Sequence, residues 1–277
     1  MCQLLGMNSR RPVSLHHSLE GFVRRGGDTD HHADGWGIAY FEDGRFRHSV
    51  EDGPAAVSPL AQALCRRPFK SRNVIVHLRK ATQGPVAERN CHPFLRRLWG
   101  REWVFAHNGH LKDLPKLEAE APFQPEGETD SELAFCTLMQ GLRKRFPGSQ
   151  PPLNELGHAL ADITRDITLH GVFNFLLSNG QALFAHCSTR LYYIVREWPF
   201  STAHLIDADL SIDFAQVTTP DDRVAVIATA PLTDNENWTQ FAPGELIMFE
   251  HGRPVMTLTV PIPPEVQAKN AANTACT

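Results

Sequence analysis

The sequence predicts an α+β fold of antiparallel sheets with helices outside them, and three observations carry that expectation. Short apolar runs bounded by turn residues crowd both ends of the chain, while two helical patterns sit together in the middle, over about residues 131–168. Asn179-Gly180 and His251-Gly252 separate paired apolar runs in the manner of hairpin turns. With 277 residues, 42% hydrophobic and 21% charged, the chain is long enough to bury a sizeable core. No internal repeat and no evident linker marks a domain boundary.

Taken in order, residues 2–7 are a short apolar run suited to a strand whose first residue faces a cavity. Leu15, Leu19, Phe22 and Val23 recur at helical spacing, and the pattern stops at Gly26-Gly27. Asp34 to Phe41 reads as a strand, Asp43-Gly44 as a tight turn and Phe46 to Val50 as the returning strand. Pro59 to Cys65 suits a short helix, Asn73 to Arg79 a buried strand, and Glu102 to His107 another strand stopped by Asn108-Gly109. After a Pro-rich loop over 115–127 come a helix from Ser131 to Phe146, capped by Thr129 or Asp130, and a second from Leu153 to Thr168. The rest is β: Val172–Ser178, Gln181–His186, Leu191–Val195, Arg223–Ala228, Glu245–Glu250 and Pro254–Val260. The small, polar tail after Pro263-Pro264 is expected to fray.

The net charge of −4 leaves no electrostatic footprint for nucleic acid or an anionic membrane, and the paired arginines at 10–11, 24–25, 66–67 and 96–97 read as solvated surface. Six scattered cysteines with no CxxC pattern read as reduced thiols of a cytoplasmic protein. The N-terminus lacks a basic region followed by an apolar run, so no signal peptide is expected, and no stretch reads as a membrane span. His16-His17 and His31-His32 are adjacent pairs whose side chains diverge on most backbones, so neither a metal nor any other cofactor is expected.

Chemistry collects at four places. Cys2 follows the initiator methionine, and removal of Met1 would put a free α-amine, a base of ordinary pKa about 7.7–8.0, beside a thiol. Arg79 ends an apolar strand ahead of a Thr82-Gln83-Gly84 turn, where a guanidinium can grip a carboxylate. Asn108-Gly109 offers a carboxamide NH₂ and a backbone N–H that can converge on one oxyanion, although the same pair is also a common hairpin turn. Thr129-Asp130-Ser131-Glu132 opens a helix and serves as its cap in the simplest reading.

As a set and in this order, these segments, with Asn90-Cys91-His92-Pro93-Phe94, Ala228-Thr229-Ala230-Pro231-Leu232, Glu236-Asn237-Trp238 and Pro243-Gly244-Glu245-Leu246, resemble the class II glutamine amidotransferases, which are N-terminal-nucleophile hydrolases. The resemblance covers residues 2–260 as one domain and leaves 261–277 as a tail. It implies a four-layer αββα sandwich of two antiparallel sheets with Cys2 at a strand end between them. It also implies that Cys2 is the nucleophile with its own α-amine as base, and that Asn108 and the Gly109 N–H form the oxyanion hole. Arg79 would take the substrate α-carboxylate and Asp130 its α-ammonium, with Thr82 a further contact; His92-Pro93 would buttress the Asn108 loop. Lys80 and Gln83 stand where relatives often carry Trp and His, and His31-His32 precede Asp34-Gly35-Trp36-Gly37 where an Arg is usual.

One domain leaves no room for a synthetase half, so the chain resembles the stand-alone, YafJ-type branch. The implied ligand is glutamine or another γ-glutamyl small molecule, with an ammonia-accepting partner protein in the first case. A non-catalytic binding protein on the same fold is the remaining alternative. The resemblance implies no oligomeric state.

Overall fold

The computed structural model of the chain describes residues 2–42, 45–67, 69–264 and 266. In chain order the strands are β1 (Gln3–Val13), β2 (Trp36–Glu42), β3 (Arg45–Glu51), β4 (Ser71–Leu78), β5 (Phe94–Leu98), β6 (Arg101–Leu111), β7 (Gly171–Ser178), β8 (Leu183–His186), β9 (Tyr192–Glu197), β10 (Thr202–His204), β11 (Ser211–Asp213), β12 (Arg223–Ala228), β13 (Thr239–Gln240), β14 (Glu245–Glu250) and β15 (Arg253–Thr259). The helices are α1 (His16–Arg24), α2 (Pro59–Arg66), α3 (Asp130–Arg145) and α4 (Leu153–Thr168). One large sheet runs β13-β9-β12-β1-β4-β2-β3, a second β15-β14-β8-β7-β6-β5, β10 and β11 form a separate two-stranded sheet, and all the pairings are antiparallel.

Alternation along the strands explains the layers. Successive side chains point to opposite faces of a sheet, and on β1 Leu4 enters the core between the sheets while Leu5 packs outward with Leu19, Phe22, Val76 and Val226 under α1. Both faces are buried, which is why the first strand reads as an unbroken apolar run with no polar alternation. Between the sheets Leu4 meets Ile75, Ala106, Leu176, Ala225 and Phe249. On the far side α3 and α4 set Phe135, Leu138 and Leu160 against Phe105, Phe173 and Phe175 of the second sheet. The rings of Phe105 and Phe135 stack with centroids 5.0 Å apart, and truncating such a buried Phe costs about 3–5 kcal/mol. The order is therefore helix, sheet, sheet, helix, as the resemblance implies.

Local chemistry fixes the helix that frames the site. Thr129 caps α3 by accepting from the Glu132 N–H at 3.2 Å, Asp130 and Glu132 occupy its first turn, and Arg143, Lys144 and Arg145 its last, matching the helix dipole at both ends. Glu132, almost wholly buried, pairs with Arg96 and accepts the backbone N–H groups of Glu126 and Gly127 at 3.0 and 2.6 Å.

Several expectations need correction. Asn108-Gly109 does not stop a strand: β6 runs on to Leu111, because its partner is β7, with Asn108 opposite Asn174 and Gly109 opposite Phe173. Strands β5, β10, β11 and β13 were not anticipated. Arg25 is buried, donating to Asp207 at 2.7 Å and to the carbonyls of Ala230 and Pro231, so it is not solvated surface; Arg96 is drawn in by Glu132. Ile262 and Val266 are buried, so the first part of the tail is packed. Met1, the Asp43-Gly44 turn, Cys276 and the rest of the tail lie outside the described residues. Among the described residues no helix is long and apolar enough to cross a membrane, and the five cysteines there are free.

Candidate active site

Cys2 sits immediately before β1, whose Gln3 pairs with Leu78 of β4, so the thiol lies beside the segment that follows β4. Its Sγ accepts from the Lys80 N–H at 3.4 Å and lies 3.5 Å from the Lys80 carbonyl. Burial pushes the thiol pKa up, against the opposing pull of the Lys80 N–H and the Arg79 charge. A thiol held protonated at neutral pH needs a base to make it a nucleophile.

The segment after β4 is strapped in place by Asp34 and Gly35. Arg79 N–H donates to the Gly35 carbonyl at 2.7 Å, Asp34 N–H to the Arg79 carbonyl at 3.0 Å, and Ala81 N–H to Asp34 Oδ2 at 2.8 Å. The buried Arg79 guanidinium donates to three carbonyls of the following turn, those of Gln83, Gly84 and Pro85, at 3.0–3.4 Å. Those contacts engage three of its five N–H groups. Gln83 also bonds His110 Nδ1 at 2.9 Å, joining the turn to β6.

The second half of β6 forms the opposite wall. It extends past β5, which pairs only as far as Phe94 with Phe105. Leu111 N–H donates to Asp130 Oδ2 at 2.7 Å. Residues two apart on a strand direct their backbone groups to the same side, so the Gly109 N–H points to the side where Asp130 lies. A β-carbon at position 109 would come within 2.0 Å of the Val172 carbonyl and 2.5 Å of His107 Nε2; only glycine fits there. Asn108, one residue away and 1% exposed, donates from Nδ2 to Thr229 Oγ1 at 3.4 Å, leaving a second N–H on that nitrogen. Thr229 is itself fixed by β1, accepting from Leu4 N–H at 2.9 Å.

Proton bookkeeping defines the surroundings of Asp130. His107 Nε2 lies 3.0 Å from the Val172 carbonyl, which can only accept, so this nitrogen carries the proton and Nδ1 is the acceptor. Ser131 Oγ, 2.8 Å from Nδ1, must then spend its single proton on His107. The Asp130 Oδ1 therefore keeps the Ser131 N–H at 2.8 Å and not the hydroxyl. Both carboxylate oxygens retain acceptor capacity toward the cavity. Burial keeps His107 neutral by lowering its pKa, against the pull of Asp130.

These elements form a pocket lined by Cys2, Arg79, Lys80, Thr82, Gln83, Asn90, His92, His107, Gly109, Thr129, Asp130 and Ser131. Of the six residues singled out from sequence, Cys2, Arg79, Thr82, Gly109 and Asp130 line it; Asn108, next to Gly109 in β6, points its side chain with that of Ala106 to the face between the sheets. The pocket is partly open to solvent. A larger cleft of about 740 Å³ adjoins it, sharing Gln83, Thr129 and Asp130 and continuing along Leu111, Lys112 and Leu133.

Sequence reasoning gave no role to His107, Ser131, Asn90 or Gln83. Asn90 ties two loops together, donating to the Pro85 carbonyl at 3.0 Å and accepting from Glu128 N–H at 2.9 Å. The position of Ser131 directly after Asp130 was the one available signal. His92 Nδ1 meets His77 Nε2 of β4 at 2.9 Å.

Comparison with known proteins agrees with this arrangement. The family model described as "Glutamine amidotransferases class-II" matches residues 1–273. A Haemophilus influenzae protein, provisionally named a glutamine amidotransferase, is 47% identical over 92% of this chain and 86% of its own length. Escherichia coli K12 YafJ, with the same provisional name, is 44% identical over 92% of this chain and its whole length. The crystal structure of a predicted glutamine amidotransferase from Pseudomonas aeruginosa superposes with TM-score 0.73, at 41% identity over 92% of this chain and all of the other. Bacillus subtilis glutamine phosphoribosylpyrophosphate amidotransferase, at 16% identity and TM-score 0.57 over 95% of this chain and 50% of its own, shares the fold. The chain belongs to the class II glutamine amidotransferases.

Proposed function

We propose that this chain is a cysteine-dependent amidohydrolase that cleaves the side-chain amide of glutamine through a γ-glutamyl thioester on Cys2. The observation that carries the reading is the meeting of Cys2, Arg79, Thr82, Gly109 and Asp130 at one cavity, from four separate parts of the chain. In this reading Met1 is removed and the Cys2 α-amine takes the thiol proton, through a water. The thiolate attacks the amide carbon, and the oxygen gathers negative charge against the Gly109 N–H and Asn108 Nδ2. The C–N bond breaks as the leaving nitrogen takes the proton from the α-ammonium, releasing ammonia. Water then attacks the thioester, giving glutamate and returning the thiol.

Arg79 and Asp130 would select the amino-acid head group, a cation for the carboxylate and an anion for the ammonium. Domain extent 2–260, the cytoplasmic setting and an ammonia-accepting partner belong to the same reading.

A second reading, hydrolysis of a larger γ-glutamyl compound, is favoured by the 740 Å³ cleft that opens from Asp130. A panel of glutamine and γ-glutamyl amides and thiols, assayed with the processed protein and its Cys2→Ala variant, separates the readings. Turnover of glutamine alone sinks the second, turnover of larger compounds alone sinks the first, and turnover that survives Cys2→Ala sinks both. No turnover of any member, with the head group still bound, would leave a non-catalytic binding protein.

A further inference from the structure

We propose that Asp30, His31 and His32 form a site for a divalent transition metal of the zinc class, on the loop between α1 and β2. The expectation that adjacent histidines diverge fails here. The two rings stack with centroids 4.8 Å apart and 20° between planes, and both present Nδ1 to the carboxylate of Asp30. His31 Nδ1 lies 2.7 Å from Asp30 Oδ1 and His32 Nδ1 3.1 Å from Oδ2, and the three residues offer ligand atoms all within 4.8 Å of one another. At His16-His17, by contrast, one ring faces Glu20 and the other Phe214.

Two imidazole nitrogens and one carboxylate oxygen are a borderline donor set, suited to Zn²⁺, Co²⁺ or Ni²⁺ and poorly to Mg²⁺ or Ca²⁺. A tetrahedral Zn²⁺ bound at about 2.0–2.2 Å spaces its ligands about 3.3 Å apart, so from ligand atoms now within 4.8 Å of one another the ion would draw the two rings together by up to about 1.5 Å, a movement the exposed His31 side chain can make. The loop is already shaped: Gly27 N–H donates to the Asp30 carbonyl at 3.1 Å, and His31 bridges back to Gly26. His32 is buried and anchors the site, while His31, 64% exposed at its side chain, leaves solvent a route to the fourth position. Four residues later the same loop holds the Arg79 carbonyl and Ala81 N–H through Asp34. A bound ion would therefore stiffen the strap behind the Cys2 cavity.

The test uses the full chain, stripped with a chelator, in a Cys2→Ser background so that the nucleophile thiol cannot act as a ligand. Zn²⁺ is titrated calorimetrically and Co²⁺ by absorption. The expected result is one equivalent per chain, a Co²⁺ spectrum without a thiolate charge-transfer band, and affinity lowered at least about ten-fold by His31→Ala and by Asp30→Asn. The metal-free melting temperatures of both variants serve as a fold check, and Zn²⁺ should raise the melting temperature of the parent more than that of either. No stoichiometric binding, equal affinity in parent and variants, or a thiolate band overturns the site. None of these readouts depends on the reaction assigned to Cys2.

Discussion

Acidification should unfold this protein by a route that its buried histidines make quantitative. His77 and His186 are fully buried, and burial lowers their pKa values from 6.5 to about 3 and about 4. The His186 ring shows why: Nδ1 donates to the Phe173 carbonyl at 2.6 Å, and Nε2 is buried with no partner, so a second proton would place an unpaired charge in the core. The folded pKa lies below the unfolded one, so the unfolded chain binds the proton first. The stability is therefore present above pH 6.5 and is lost as pH falls below it, down to the folded pKa. Between about pH 7.5 and about pH 5.5 each of the two histidines should cost about 1.4 kcal/mol, or about 3 kcal/mol together.

His17, His92 and His107 are shifted the same way and add to the loss. The exposed His204, raised by Asp209 and Asp234, acts in the opposite sense. Urea unfolding at the two pH values measures the total, and repeating it with His186→Gln isolates one part. Whatever that substitution costs at either pH, it should shrink the pH-dependent difference by about 1.4 kcal/mol. An unchanged difference in His186→Gln would refute the assignment of a buried neutral histidine to this position.

Three predictions concern the site. In the chain that keeps Met1, alkylation of Cys2 should have a pH midpoint above that of an ordinary thiol, because burial outweighs the Lys80 N–H, the N-terminal charge and the Arg79 charge; iodoacetamide rates across pH would show it, and a midpoint at or below the ordinary value would contradict the burial seen here. Asn108→Ala should lower kcat for glutamine about 10²–10³-fold with little change in KM, as loss of one oxyanion donor does; an equal loss in kcat and gain in KM would assign Asn108 to binding instead. Ser131→Ala leaves the buried His107 Nδ1 without its donor while the Ser131 N–H still holds Asp130, so it should cost about 1–3 kcal/mol of stability with KM little changed, and Ser131→Thr should restore the stability; urea unfolding checks it, and an unchanged midpoint in Ser131→Ala would remove the hydroxyl from this role.

Much of the fold was legible because the chain is locally consistent. Helix α4 begins and ends where the apolar periodicity does, after Pro152, and α3 begins at the cap expected from Thr129 and Asp130. The strand readings failed where the partner was remote. Asn108-Gly109 looks like a turn in any local window, yet β7, some 65 residues on, continues the ladder past it. Strand β5 carries Arg96-Arg97, which reads as surface until the buried Glu132 appears 36 residues later to hold Arg96. Arg25 likewise depends on Asp207, 182 residues away.

At the site, chemistry-bearing residue types were legible and their mutual positions were not. Cys2, Arg79, Asn108-Gly109 and Asp130 stand out by type and by their place at strand and helix ends. The parity of β6, which sends the Leu111 and Gly109 N–H groups to one side, emerges only from the contact of Leu111 with Asp130. The His107–Ser131 bond likewise needs β6 and α3 side by side.

The central claim is that Cys2 is an N-terminal nucleophile for a γ-glutamyl group. Its most direct test is the intact mass of the native protein before and after treatment with an electrophilic glutamine analogue, followed by peptide mapping. The account predicts loss of Met1 and a single adduct on Cys2, formed more slowly when glutamate competes. Retained Met1 with no adduct, or an adduct on another cysteine with Cys2 untouched, would contradict it.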